Sequence, residues 1–198
     1  MTPRGYLSYT QVALWEKSPA EYIRRYVHGE GQYTTPYMAL GSAVASALEG
    51  KDTADEAVKL LVSAFPSYPQ REHEMTVELP VGRRKVKLLA KVDGIDMAAA
   101  RLGEYKTGTK WTRKQAEQSR QLRFYHLVYW MATGRMLEDV CLHWAETAWS
   151  DGQLRLTGNI TTFPVTHTRL DLLKEKIAVK KAFNEIETAY KKELSKLN

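Results

Sequence analysis

The chain has 198 residues, enough for one domain over residues 1–198 with a sizeable core, and its composition (43% hydrophobic, 26% charged) excludes collagen-like, low-complexity and wholly disordered proteins. Its single cysteine, Cys141, excludes a disulfide framework, a four-thiolate zinc site and an iron–sulfur cluster ligated within the chain. The net charge of +6 at pH 7 fits a polyanionic partner. The sequence has no apolar run of about 18 residues and no signal-peptide layout, so it predicts a cytoplasmic protein without a membrane partner.

Helical patterns dominate the N-terminal third of the chain. Ser8 followed by Gln11 has the form of a capping box, and Thr53 followed by Glu56 repeats it before a later helix. The second helix carries an apolar stripe and a separate stripe of small residues that ends with Glu49. The predicted helices of this part are 8–27, 38–49 and 53–64.

Alternation of apolar and polar side chains then replaces the helical period. A turn at Gly82 and another at Asp151 each predict an antiparallel hairpin, and Thr112 with Gln115 predicts the start of a long helix that ends near Gly134. The predicted strands are 72–80, 84–97, 101–106, 139–148 and 153–164, followed by a closing helix. This order predicts an α/β fold in which a central mixed sheet of about five strands is flanked by helices.

Acidic and basic side chains meet at the end of the second predicted strand and along the third. Asp93 stands near the end of one strand, and Glu104 and Lys106 project from one face of the next, while Tyr105 points to the opposite face. If the two strands pair, Asp93 converges on the others. Two carboxylates suit a hard cation such as Mg²⁺ or Mn²⁺. The Lys106 ammonium can orient or help deprotonate an attacking water and offset charge on a phosphoryl group.

Several motifs stand in a recognisable order along the chain. One strand reads Ala90-Lys91-Val92-Asp93, the next reads Glu104-Tyr105-Lys106-Thr107-Gly108, and the following helix contains a Gln-x-x-x-Tyr motif over 121–125. With the opening segment 7–19, these motifs resemble the PD-(D/E)XK nuclease superfamily. The resemblance is to its RecB-like branch, which includes CRISPR-associated adaptation nucleases and phage recombination exonucleases. It covers nearly the whole chain and implies a restriction-endonuclease-like fold.

The resemblance implies a metal-dependent deoxyribonuclease, expected to be an exonuclease in repair, recombination or phage replication, that hydrolyses phosphodiester bonds with a metal-activated water. Lys106 is then the catalytic base or an electrostatic stabiliser, and Gln121 with Tyr125 positions the DNA strand. DNA is the expected partner, with a recombination or replication protein as a second one, and the oligomeric state is open. The implied ligands of Mg²⁺ or Mn²⁺ are Asp93, Glu104 and the carbonyl of Tyr105.

Two positions depart from the pattern of that branch. Ser18 stands where members with an iron–sulfur cluster have a cysteine before proline, so no such cluster is expected. Ala45 stands where the branch commonly has a metal-ligating histidine, and Glu49 follows four residues later on the same helix face. We therefore hypothesise that Glu49 reaches the metal across the space left by the missing imidazole. This change predicts weaker binding of a second metal, a preference for Mn²⁺, or loss of catalysis.

Basic residues crowd the segment after the Glu-x-Lys motif. A solvated helix face is the alternative explanation, but proximity to the predicted site favours contact with DNA phosphates. Trp111 could stack on an unpaired base. Two other functions stay open: a catalytically inactive DNA-binding relative, favoured by Ala45, and an accessory protein-interaction module with a basic surface. The basic residues are Lys110, Arg113, Lys114, Arg120 and Arg123.

Overall fold

The structure, a computed structural model, describes residues 2–31, 34–108 and 110–196. Its strands are β1 (Leu7–Ser8), β2 (Gln70–Val81), β3 (Arg84–Asp96), β4 (Arg101–Gly108), β5 (Asp139–Ser150) and β6 (Gln153–Val165). Its helices are α1 (Tyr9–Lys17), α2 (Pro19–Tyr26), α3 (Pro36–Leu48), α4 (Glu56–Ala64), α5 (Arg113–Glu117), α6 (Arg120–Thr133) and α7 (Arg169–Leu194). Within these described ranges, none of the helices combines the length and apolar character that a membrane span requires.

Strand β3 pairs with three other strands of a mixed six-stranded sheet. β2 runs antiparallel along one edge of β3, and the other edge pairs first with parallel β1 and then with antiparallel β4. β4 pairs in parallel with β5, which forms an antiparallel hairpin with β6. The predicted α/β class with a mixed sheet is confirmed. The additional strand, β1, has two residues, which is too short for alternation to reveal it.

A separate apolar cluster covers each face of the sheet. The larger cluster packs α1, α2, α6 and α7 on one face, and the smaller one packs α3 and α4 on the other. Along β4, Leu102 belongs to the first cluster and Tyr105 to the second. Alternation therefore places Glu104 on the α6 face of the sheet.

Serine caps divide two of the predicted helices. The prediction of one helix over 8–27 is wrong, because Ser18 ends α1 and its side chain caps α2, while Pro19 lacks the N–H that a continuous helix requires. The long helix predicted after Thr112 is divided in the same way. The predicted capping box at Thr112 is present but opens only the short α5, and Ser119 caps α6.

Two glycines accommodate an aromatic ring where β3 meets β4. Gly94 and Gly103 are directly opposed in the antiparallel register, and the Tyr68 ring lies against both. A Cβ on Gly94 would lie 2.6 Å from Tyr68 Cδ2, so a side chain at this position would collide with the ring. The Tyr68 hydroxyl lies 3.0 Å from His143 Nε2 on β5. This packing ties β3, β4 and β5 together beside the acidic residues of the predicted site.

Candidate active site

The strands β3 and β4 pair briefly and then separate. Their ladder comprises three pairs, which end at Gly94 and Gly103. Asp93 and Glu104 come next on the two strands, and there Asp93 Oδ2 accepts a hydrogen bond from the Tyr105 N–H at 2.7 Å. This contact places the Asp93 carboxylate beside the β4 backbone, next to Glu104, at the point where the two strands separate.

The Glu104 carboxylate connects the Glu-x-Lys motif to helix α6. Lys106 Nζ and Gln121 Nε2 each donate a hydrogen bond to Glu104 Oε1 at 2.6 Å. The same Gln121 amide also lies 2.8 Å from the Tyr125 hydroxyl, one helical turn further along α6. The structure therefore brings together Asp93, the Glu-x-Lys motif of β4 and the Gln-x-x-x-Tyr motif of α6.

The second oxygen of Glu104 has no such neighbours. Oε2 is buried without a hydrogen-bond partner among the described residues, and the Glu104 side chain is only 3% exposed. Leaving a buried carboxylate oxygen unpaired is costly unless a further group binds it. Carboxylate oxygens are the ligands that hard divalent cations prefer, so the donor set of Glu104 and Asp93 fits such a cation.

A cavity of about 340 Å³ opens over these side chains. Its lining includes Asp93, Glu104 and Lys106, together with Ala45 from α3, where the family resemblance places a histidine. A second cavity, of about 600 Å³, adjoins the first and shares Lys106 with it. Trp111 lines this second cavity. The residues that line both cavities are Lys106 and Gln121.

Glu72 is a third acid at the cavity that the sequence analysis missed. It lies on β2, where its neighbours Arg71 and His73 pair with Gly94 and Val92, so Glu72 stands opposite Asp93. Its backbone has a left-handed φ of 49°, which is uncommon for a residue with a side chain. Pairing residues outward from the predicted hairpin turn at Gly82 could have placed Glu72 opposite Asp93.

In the part of the chain that the structure describes, no group of three or more His, Cys, Asp or Glu side chains is assembled to hold an ion.

Lysine side chains engage the two outer acids. The Glu72 carboxylate lies 2.5 Å from Lys91 Nζ. Glu49 is the C-cap of α3, and its carboxylate lies 2.6 Å from Lys51 Nζ and 3.5 Å from Lys91 Nζ. The hydrogen bond from Lys51 lowers the pKa of Glu49. The hypothesis that Glu49 binds a metal stays a prediction, and it requires this carboxylate to leave its lysine partners.

Burial and mutual repulsion shift the protonation equilibria at the centre of the site. Burial raises the pKa of Asp93 well above its usual value, and the neighbouring Glu104 carboxylate raises it further. Burial acts to lower the pKa of Lys106, but the attraction of Glu104 and Asp93 outweighs it, so the pKa of Lys106 is raised. Lys106 is therefore held in its charged form. Burial, followed by the Glu104 charge, also raises the pKa of Tyr125.

Two of the arginines predicted to contact phosphates lie within an ion-pair network between helices. Arg120 pairs with Glu16 on α1, and its Nη2 lies 2.7 Å from a Glu175 carboxylate oxygen on α7. Arg123 Nη1 lies 3.9 Å from Glu175, whose side chain is 1% exposed. The buried Glu175 charge requires a cationic partner, so this arrangement gives Arg120 a structural role. Phosphate contact by Arg120 and Arg123 stays a prediction.

The remaining basic residues of the predicted interface lie at the surface. Arg113 forms an ion pair with Glu117 one turn along α5, at 2.9 Å. Lys110 and Lys114 are exposed on either side of Trp111, which is partly buried against the larger apolar cluster. These two lysines are placed to meet a phosphate backbone near the second cavity, although that contact also stays a prediction.

Comparison with known proteins bears on the fold. No family model matches the chain, and no curated protein sequence matches it. The solved structure of a protein proposed to be an exonuclease, from Eubacterium rectale, aligns with 96% of this chain and 83% of its own at a TM-score of 0.61 and 14% identity. The structure of SSO0001 aligns with 90% of this chain and 75% of its own at a TM-score of 0.52 and 14% identity. The chain shares their fold.

A third solved structure, LHK-Exo in complex with dAMP, aligns with 99% of this chain and 96% of its own at 14% identity, but its TM-score of 0.48 is too low to support an inference. The comparisons therefore show the predicted restriction-endonuclease-like α/β class. At 14% identity they do not extend to activity, and the resemblance of the sequence motifs to the PD-(D/E)XK superfamily stays a prediction.

Proposed function

We propose that the chain is a metal-dependent deoxyribonuclease of the PD-(D/E)XK type that hydrolyses phosphodiester bonds, acting as an exonuclease. The Glu104 carboxylate carries this proposal. One of its oxygens is held by Lys106 and Gln121, while the other is buried without a partner among the described residues, in a cavity that it shares with Asp93. This arrangement leaves one anionic oxygen available for a cation and keeps a fixed ammonium beside it.

The acidic residues on β3 and β4 are the proposed metal ligands. Asp93, Glu104 and the Tyr105 carbonyl would hold Mg²⁺ or Mn²⁺. When bound, such a cation polarises a phosphate oxygen and lowers the pKa of a bound water. The Asp93 side chain is already fixed by the Tyr105 N–H at 2.7 Å, so little of its conformational freedom is left to lose on binding.

Lys106 and the two α6 residues have different tasks in this proposal. Lys106, whose Nζ lies 2.6 Å from Glu104 Oε1, would act as an electrostatic stabiliser of negative charge on the phosphoryl group or as the catalytic base. Gln121 holds the Glu104 carboxylate in place and contacts Tyr125. Both α6 side chains line the cavity, where they can position the scissile strand.

The proposed substrate is DNA, bound through its phosphates near the two adjoining cavities. The exposed Lys110 and Lys114 and the net charge of +6 support such contact, which would weaken as salt rises. Recombination, repair and phage replication are the settings in which such an enzyme would act.

One observation favours a second candidate function, an inactive DNA-binding relative. Ala45 lines the cavity at the position that a histidine occupies in the related branch. With one ligand fewer, a chain of this type could retain DNA binding while losing catalysis.

Incubation of linear and closed circular DNA with the purified protein, with and without Mn²⁺, tests the proposal. We expect Mn²⁺-dependent degradation of linear DNA alone, and loss of that degradation in Lys106→Ala. Lys87→Ala, which removes an exposed lysine on β3, is the matched control and should retain activity. Calorimetric titration of Mn²⁺ should show binding to the wild type and little binding to Glu104→Gln.

The same experiment separates the two candidate functions. Salt-sensitive DNA binding with Mn²⁺ bound but no cleavage would support the inactive relative. Cleavage that persists in Lys106→Ala, or Mn²⁺ binding that is unchanged in Glu104→Gln, would overturn the proposed assignment of the site.

A further inference from the structure

Two aromatic side chains stand exposed together at one end of the sheet. Tyr37, in the first turn of α3, is 40% exposed, and Trp149, near the end of β5, is 56% exposed. Among the described residues, no other Phe, Tyr or Trp is more than about a third exposed. Their ring centroids lie 6.3 Å apart at an interplanar angle of 85°, and Trp149 Nε1 donates a hydrogen bond to the Tyr37 hydroxyl at 3.2 Å.

The pair is connected to the proposed active-site cavity through contacts with β4 and α3. The Tyr37 ring lies against Gly108, where a Cβ would be 3.0 Å from Tyr37 Cδ1. Gly108 follows Lys106 by two residues, which is about 7 Å along β4. One turn after Tyr37 on α3 comes Gly41, which packs against Thr107, and both of these residues line the cavity. Tyr37 and Trp149, here called the aromatic ledge, therefore lie beside residues that line the cavity.

Gly108, against which the Tyr37 ring packs, is held in place by its backbone conformation and by hydrogen bonds to its carbonyl oxygen. Gly108 has a φ of 98°, which a residue with a side chain rarely adopts. Its carbonyl oxygen accepts hydrogen bonds from Trp144 Nε1 at 3.2 Å and from Thr147 Oγ1 at 3.1 Å. Leaving two large apolar rings in water has no benefit for folding, whereas rings held in a fixed position bind a flat partner with little loss of side-chain freedom.

We propose that Tyr37 and Trp149 form a stacking site for one unpaired nucleobase of the DNA strand whose phosphate occupies the cavity. Every base presents a flat π-face, so a ledge of this kind accepts any sequence. Along β4, Gly108 lies about 7 Å from Lys106, a spacing that matches about two stacked nucleotides at ~3.4 Å each, and Tyr37 packs against Gly108. The exposed Lys110, two residues beyond Gly108, adds a positive charge that suits the connecting phosphates.

This inference rests on the proposed function and specifies its substrate, a strand with an unpaired end. A duplex end keeps its bases stacked on one another, so a base reaches the ledge only from a single-stranded or frayed terminus. The protein should therefore prefer single-stranded ends to blunt ones, and the aromatic pair should be the cause of that preference.

Binding without a divalent cation, so that cleavage does not interfere, tests the ledge. We expect Trp149→Ala to weaken the binding of a single-stranded oligonucleotide by about 5- to 150-fold, as measured by fluorescence anisotropy, and Tyr37→Ala to weaken it in the same range. Trp149→Phe keeps a stacking ring and should retain most of the affinity. Leu60→Ala, which removes a side chain 70% exposed on α4, is the matched control and should bind as the wild type does.

An oligonucleotide with abasic sites at its terminal nucleotides distinguishes stacking from backbone contact. It should bind the wild type more weakly than the natural strand does, and Trp149→Ala should not weaken it further. Wild-type affinity of Trp149→Ala for the natural strand, or an equal loss for the abasic strand, would overturn the stacking site. If the wild type fails to cleave with Mn²⁺ but Trp149→Ala still loses binding to the natural strand alone, the nuclease proposal fails while the stacking site stands.

Discussion

Replacing Gly103 with alanine should destabilise the protein, because the new methyl group meets the Tyr68 ring. A Cβ on Gly103 would lie 2.5 Å from Tyr68 Cζ and 2.6 Å from its hydroxyl oxygen, distances at which atoms must move. The ring has little space to move into, since Gly94 contacts its other end and its hydroxyl lies 3.0 Å from His143 Nε2. Overpacking of this kind costs about 1–3 kcal/mol of the free energy of unfolding.

Thermal unfolding followed by circular dichroism measures the effect. A change of 1 kcal/mol shifts Tm by roughly 2–4 °C for a chain of this size, so Gly103→Ala should lower Tm by about 2–12 °C. Gly31→Ala is the matched control, because a Cβ there meets no atom of the described residues within 4 Å. That control should leave Tm unchanged or raise it slightly, since alanine restricts the unfolded chain more than glycine does.

A double-mutant cycle identifies Tyr68 as the cause. In a Tyr68→Ala background the ring is absent, so Gly103→Ala should cost much less than it does in the wild type. A Tm for Gly103→Ala at or above that of the wild type would refute the reasoning. An undiminished cost in the Tyr68→Ala background would show that another contact is responsible.

Three further predictions concern acid stability, metal affinity and a helix cap. Burial lowers the pKa of both His126 and His167 to about 4. Between pH 6.5 and 4 the unfolded chain therefore binds more protons than the folded chain, and Tm should fall as pH falls through this window, by the equivalent of several kcal/mol. A pH profile equally steep in His126→Gln would contradict this. Glu72→Gln should weaken Mn²⁺ binding about 10-fold by calorimetry, whereas equal affinity would exclude Glu72 from influence on the site. Ser18→Ala should lower the free energy of unfolding in urea by about 1 kcal/mol, and Ser18→Thr should restore it if the cap is the cause.

The sequence alone determined most of the elements and the core of the candidate site. Period-two alternation depends only on neighbours along the chain, so it correctly placed Glu104 and Lys106 on one face of β4 and Tyr105 on the other. The spacing of Gln121 and Tyr125 likewise predicted their contact on α6. The division of the first helix was available too, since Pro19 after a serine is a local signal for a new helix start.

Only the tertiary structure decided which distant residues meet these elements. The contact of Gln121 with Glu104, the pairing of Arg120 with Glu175, and the meeting of Tyr37 with Trp149 each join residues that are far apart in the sequence. Such contacts depend on how strands pair and how helices pack against the sheet, which is set by the summed burial of many side chains rather than by a local pattern. For the same reason, alternation could place Glu104 and Lys106 on one face of the sheet, but only packing left one Glu104 oxygen buried without a partner among the described residues.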